Sequence, residues 1–228
     1  MIDLPARAFA GTFNAVARLR HARVFHPHGV ALAGRLRATG EFEQLVGSGD
    51  RPLVARLSKA TSTPGALPDF LGLALRVLDR NDQPWDFTFV TTGTSRLGRF
   101  VLIPSNDWSS ATFGSLMPYR LGEDPAPKWL FAQPDAGLPS AAGLGELRNL
   151  AHDHQLEFTL TARGFGGEPI VLAGFALAAT EQVEHTHPGF FDPVRNHPDD
   201  VALLPEAISR IRELAYSGSR HGRGQPAG

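Results

Sequence analysis

Leu71-Gly72-Leu73-Ala74-Leu75-Arg76-Val77, then Asp79-Arg80-Asn81-Asp82-Gln83-Pro84, then Trp85-Asp86-Phe87-Thr88-Phe89-Val90 follow one another along the chain. In both flanks a large apolar residue occupies every second position, the spacing at which side chains of an extended strand share one face. The acidic, amide and proline residues between them have the chemistry of a tight reversal. This spacing predicts two paired antiparallel strands, with Trp85, Phe87 and Phe89 sharing one buried face rather than lining a cofactor box.

The same reading extends both ways. Val30, Leu32 and Leu36 alternate with small or charged residues, and Leu53 to Ser58 is a further short β-like run. Downstream, Leu156, Phe158, Leu160 and Ala162 alternate and lead through Gly164-Phe165-Gly166-Gly167 to Ile170–Leu177, a second hairpin. Those glycines make no phosphate loop, because a strand and not a helix is expected after them. A strand from Arg99 to Ile103, a short helix over Ser109–Met117 and a helix from Ala141 to Ala151 are also expected. Gly122 to Pro139, with Pro125, Pro127, Pro134 and Pro139, reads as a connector too rich in proline for regular structure. Amphipathic helices are expected at both ends, from Ala6 to Leu19 and from about Pro205 to Tyr216, and residues 218–228 form a glycine-rich tail. No repeat and no low-complexity linker divides the 228 residues, so one domain over 1–228 is expected, of α+β class and mainly antiparallel.

Composition narrows the function. Lys+Arg 22 against Asp+Glu 23 leaves no overall excess on the scale of a nucleic-acid binder or a membrane-surface protein. With no cysteine, disulfides, thiolate metal sites and cysteine nucleophiles are excluded together, so any metal must take His, Tyr or carboxylate ligands. No apolar run reaches the ~20 residues of a membrane span and no leader pattern opens the chain, so a cytoplasmic location is expected. The histidines at 185, 187 and 197 lie among prolines without a pair one helical turn apart, a poor metal cluster.

Two segments carry chemistry. Arg23-Val24-Phe25-His26-Pro27-His28-Gly29 sets cationic and imidazole groups among bulky apolar residues just before a strand. In Arg212-Glu213-Leu214-Ala215-Tyr216 the arginine and the phenol stand four residues apart, hence on one helix face, where the positive charge favours the phenolate. A tyrosinate of that kind is a good ligand for ferric iron.

Taken with Val54-Ala55-Arg56-Leu57-Ser58, these segments resemble the motifs of haem catalases, in particular the small bacterial catalase-like proteins. The resemblance covers patches from about Arg23 to Trp108 and from Gly174 to Arg223, and the internal spacings agree: Arg23 three before His26, Ser58 two after Arg56, Arg223 seven after Tyr216. It implies a closed antiparallel barrel of about eight strands with flanking helices. It also implies a haem b cofactor with Tyr216 as the iron ligand, Arg212 keeping that ligand ionised, and Phe25 in the haem-binding set. His26 would be the distal acid/base group, Ser58 its hydrogen-bond partner, and Arg23, Arg56 and Arg223 the propionate-binding arginines. The partner implied is hydrogen peroxide or an organic hydroperoxide, and a homo-oligomer is expected. His28 is expected to lie outside the pocket.

This chain departs from the family in two places. Where catalases carry a distal asparagine after the tryptophan-aspartate pair, direct counting reaches Val90, or Thr91 or Thr92 with a shift of register. After Tyr216 the family's proline-aspartate-threonine is replaced by Ser217-Gly218-Ser219. Disproportionation, peroxidation and hydroperoxide rearrangement therefore remain open, as does a non-catalytic barrel that binds haem or another small ligand.

Overall fold

The computed structural model describes residues 28–179 and 191–204. The expected terminal helices, the tail, His185 and His187 lie outside the described residues. Within them the alternation singled out in the sequence becomes a register. β3 (Leu71–Leu78) and β4 (Pro84–Thr91) pair antiparallel with Leu73 opposite Phe89, Leu75 opposite Phe87 and Val77 opposite Trp85. Asp79 forms the turn: its Oδ1 accepts from the backbone N–H groups of Asn81 and Gln83, both at 2.8 Å, and its own N–H reaches the Gln83 carbonyl.

From this hairpin the sheet grows until it meets itself. β2 (Asp50–Lys59) pairs with β3 and with β1 (Gly29–Ala38), and β1 pairs in turn with β9 (Ile170–Ala178). On the other side β4 pairs with β5 (Phe113–Gly114), which pairs with β7 (Asp124–Pro134). β8 (Leu156–Arg163) joins β7 to β9, so eight antiparallel strands close a barrel. Short β6 (Tyr119–Leu121) and β10 (Val201–Leu203) extend the first half of β7 as a flap. The helices among the described residues are few and short: α1 (Glu43–Val46) and α2 (Leu144–Asp153). None is long and apolar enough to cross a membrane.

The interior is filled by the inward set of each strand. Leu32, Leu36, Ala55, Leu57, Leu73, Leu75, Trp85, Phe87, Phe113, Leu160 and Leu177 are all buried. Their aromatic members touch: Trp85 and Phe87 ring centroids are 4.6 Å apart, and Phe42 lies 5.4 Å from Trp85. Gly34 marks the closure of β1 on β9, since a Cβ added there would collide with the Ala176 carbonyl oxygen.

Three sequence expectations are corrected. The proline-rich stretch contains an eleven-residue strand, β7. Pro125 and Pro127 are tolerated because its ladder with β8 starts only at Trp129, and Pro134 stands at the far end of that ladder. Ser109–Met117 is not a helix. Leu116 has φ 55°, and Ser115 Oγ binds the Met117 carbonyl at 2.6 Å, which makes a turn after the two-residue strand β5. Arg99–Ile103 is not a strand but a 3-10 turn over Gly98–Phe100 followed by a single bridge between Leu102 and Thr92.

The segment from Phe191 to Leu204 is tied to the outside of β4 by one carboxylate. Asp86, fully buried, receives Arg76 Nε at 2.6 Å and Nη2 at 2.7 Å, the Asp192 backbone N–H at 2.7 Å and Asn196 Nδ2 at 2.7 Å. Asp86→Ala is expected to cost about 3–5 kcal/mol, because it strands a half-buried guanidinium and two donors. Urea denaturation measures this, and Asp50→Ala at the exposed Arg37–Asp50 pair should leave the midpoint nearly unmoved.

A second node carries a pH dependence. Burial opposes the charge of Asp69, yet hydrogen bonds from Thr61 and Thr63 outweigh it and hold this carboxyl below its ordinary range. A lowered native pKa means that the unfolded chain binds more protons in the acid range. The stabilisation from Asp69 is thus complete above the unfolded value and is lost as pH falls through the native one. Acid denaturation below about pH 4 should therefore be shallower for Asp69→Asn than for the parent chain.

Candidate functional site

Filling the interior with apolar side chains leaves the opposite face of each strand for chemistry. On β2 the outward set is Val54, Arg56 and Ser58, so the two described members of the sequence-predicted site share a face. The ladders extend that face over four strands. Ser58 stands opposite Gly29 on β1 and Gly72 on β3, and Gly72 opposite Val90 on β4. One row along, Arg56 stands opposite Ala31 and Ala74, and Ala74 opposite Thr88.

The result is a broad platform whose two rows carry glycine, alanine, serine, threonine and valine, with Arg56 as the charged member. A third row, Ala33, Val54, Arg76 and Asp86, bounds it. There the Arg76–Asp86 pair holds Phe191 against the barrel, with the Arg76 guanidinium 5.5 Å from the centre of the Phe191 ring.

Arg56 is held across this platform. A Cβ built on Gly29 would lie 2.6 Å from the Leu57 carbonyl oxygen and 3.0 Å from both Cζ and Nε of Arg56, so the glycine admits the neighbouring backbone and the guanidinium together. Burial lowers the Arg56 pKa. Ser58 is buried beside it, with 5% of its surface exposed. Small side chains, a half-buried arginine and a buried hydroxyl thus share one face of β1 to β4. Among the described residues no group of three or more His, Asp or Glu is gathered as a metal site.

Gly29 follows His26 by three residues and stands directly opposite Ser58, so the chain enters the platform beside the hydroxyl. His26 itself, with Arg23, Phe25, Arg212, Tyr216 and Arg223, lies outside the described residues. His28 is exposed, its Nδ1 3.3 Å from Ser62 Oγ, and His197 Nδ1 lies 2.9 Å from the Pro198 carbonyl. Val90 takes the place in the Ser58 row and presents an isopropyl group there, whereas Thr91 faces the interior, where its Oγ1 accepts a hydrogen bond from the Leu71 N–H at 3.2 Å. Direct counting from the tryptophan-aspartate pair therefore reaches the strand position that faces the platform.

Sequence reasoning missed the part played by Arg76 and Asp86. A signal for them was present: folding the hairpin about its six-residue polar turn sets position 76 opposite position 86, and opposite charges there predict a cross-strand pair.

No family model matches this chain, and a search of curated proteins returns no match.

Proposed function

We propose that the chain is a haem-dependent oxidoreductase of the catalase-like type, acting on hydrogen peroxide or an organic hydroperoxide. The observation that carries this reading is the register of the outer face. It aligns Gly29, three residues after His26, with Ser58, and sets Arg56 one row away on a platform without bulky side chains. Motif residues distant in sequence share one surface, as a common ligand requires.

On this reading Arg56, with Arg23 and Arg223, holds the propionates by charge-assisted hydrogen bonds, and Tyr216, kept ionised by Arg212, ligates the iron. Phe25 packs in the same set. A haem bound there supplies the ferric centre needed to cleave a peroxide oxygen–oxygen bond. His26 takes the proton from one peroxide oxygen and returns it to the other, and Ser58 orients the imidazole. Val90 offers no amide to a bound peroxide. It leaves the choice among disproportionation, peroxidation and rearrangement to the shape of the substrate.

Chain produced with ample haem is expected to show a Soret band that Tyr216→Phe abolishes or strongly reduces; undiminished haem in that variant removes the ligand assignment. His26→Ala should retain haem and lose peroxide turnover by about 10²–10⁴-fold, the usual weight of a positioned acid/base group. Haem retained without turnover in the parent chain would instead establish a non-catalytic binder.

The platform makes its own prediction. Gly29→Val meets the Leu57 carbonyl as well as Arg56 and should weaken haem retention about tenfold or more, with Arg56→Ala, which leaves the backbone untouched, acting in the same direction. Haem titration followed at the Soret band measures both. Equal affinity in all three proteins would move the ligand off this face.

A further inference from the structure

Seven large apolar side chains are exposed among the described residues, and six of them lie on two features that touch each other on the outside of the barrel. Leu97, Val101 and Ile103, exposed by 76%, 53% and 45%, belong to the loop after β4. Phe165, Ile170 and Val171, each a little over half exposed, belong to the tip and second strand of the β8–β9 hairpin. Arg99 Nη1 reaches the Gly164 carbonyl at 2.8 Å and Arg163 Nη1 the Thr94 carbonyl at 3.2 Å, so each feature is pinned to the other.

The pinning is rigid. Arg99, 1% exposed, lies 4.6 Å from the centre of the Trp129 ring, which Phe165 and Phe100 meet edge-on at 4.7 and 5.6 Å. Ser95 closes the turn beneath Leu97, its Oγ accepting from the Gly98 N–H at 2.9 Å and its carbonyl from the Arg99 N–H at 3.1 Å. Leu97 is thus presented by an ordered tip.

Charge is unbalanced at the same place. Residues 93–103 and 163–171 carry Arg96, Arg99 and Arg163 against the lone carboxylate of Glu168, in a chain whose total is -1. Burial and then the neighbouring charges of Arg163 and Arg96 press the Arg99 pKa down, which shows that these cations crowd one another. Two copies meeting through this surface would bring their arginines together, so self-association here is opposed. Apolar residues on these two tips, with exposed Arg96 and half-buried Arg163 beside them, match a bilayer with anionic headgroups: the apolar side chains enter the acyl boundary while these two guanidinium groups stay among the phosphates.

We propose that the surface formed by the loop after β4 and the β8–β9 hairpin tip docks the protein on an anionic membrane surface, with Leu97 and Phe165 as the inserted side chains and Arg96 and Arg163 as headgroup contacts. Docking of this kind is peripheral and reversible, independent of the haem reading.

The test is sedimentation of the full chain with vesicles of phosphatidylcholine alone, or of phosphatidylcholine mixed with phosphatidylglycerol, at low and at high salt. Binding to the mixed vesicles only, weakened by salt, is expected. Leu97→Ser with Phe165→Ser should lower the affinity about tenfold or more, and Arg96→Glu about fivefold or more. All these positions are surface sites, and unchanged thermal midpoints verify that the variants fold. Failure to bind mixed vesicles overturns the proposal, and retention on immobilised polyglutamate in that case would assign the surface to an acidic protein. Vesicle binding that survives the serine substitutions overturns it as well, because charge alone would then account for adsorption.

Discussion

Closure of the ladder is the constraint on which the rest depends. Once β9 returns to β1, each strand has one face turned to a common interior, and that interior is filled by leucine and aromatic side chains from Leu32 to Leu177. Among the described residues that space is taken up by close-packed side chains. Chemistry is displaced to the outward set, and the small residues there become meaningful. Gly29, Gly72, Ala31 and Ala74 contribute little to the core, but together they set only small groups beside Ser58 and Arg56.

The legible part of the fold was the part with period two. Strands β1 to β4, β8 and β9 and both hairpins follow from alternation and turn chemistry, because burial on one face writes itself directly into the sequence. The alternation failed where other forces decide. β7 is obscured by prolines that stand beyond its second ladder, and β5 is two residues held by its neighbours. The Ser109–Met117 segment has helix-compatible composition, but a residue at positive φ and a serine bound to nearby backbone turn it aside. Propensity is a weak prior beside such tertiary contacts.

Of the candidate site, spacing within motifs was legible and the relation between motifs was not. That Arg56 and Ser58 share a face follows from their separation by two. That Gly29 and Val90 stand in the Ser58 row requires the register across four strands, which no single segment contains. The Arg76–Asp86 pair belongs to an intermediate class, recoverable from hairpin symmetry, while its grip on Asp192 and Asn196 joins residues over a hundred positions apart and is invisible before folding. The apolar surface beside Arg96 and Arg163 is similar: a balanced total charge conceals a local surplus that only the meeting of two loops creates.

Closure also governs how the chain avoids its neighbours. An open sheet of this size would present two long rows of unpaired amides, a template for addition of further strands and so for aggregation. Here the outermost strand of the sheet is β10, three residues long, and every long strand is paired on both sides over part of its length. That protection arrives late in folding, since the β1–β9 seam joins opposite ends of the described chain and carries the largest loop-closure entropy. Until the seam forms, two adhesive edges are exposed together, and the interval before they meet is the period in which the chain most needs dilution or a chaperone.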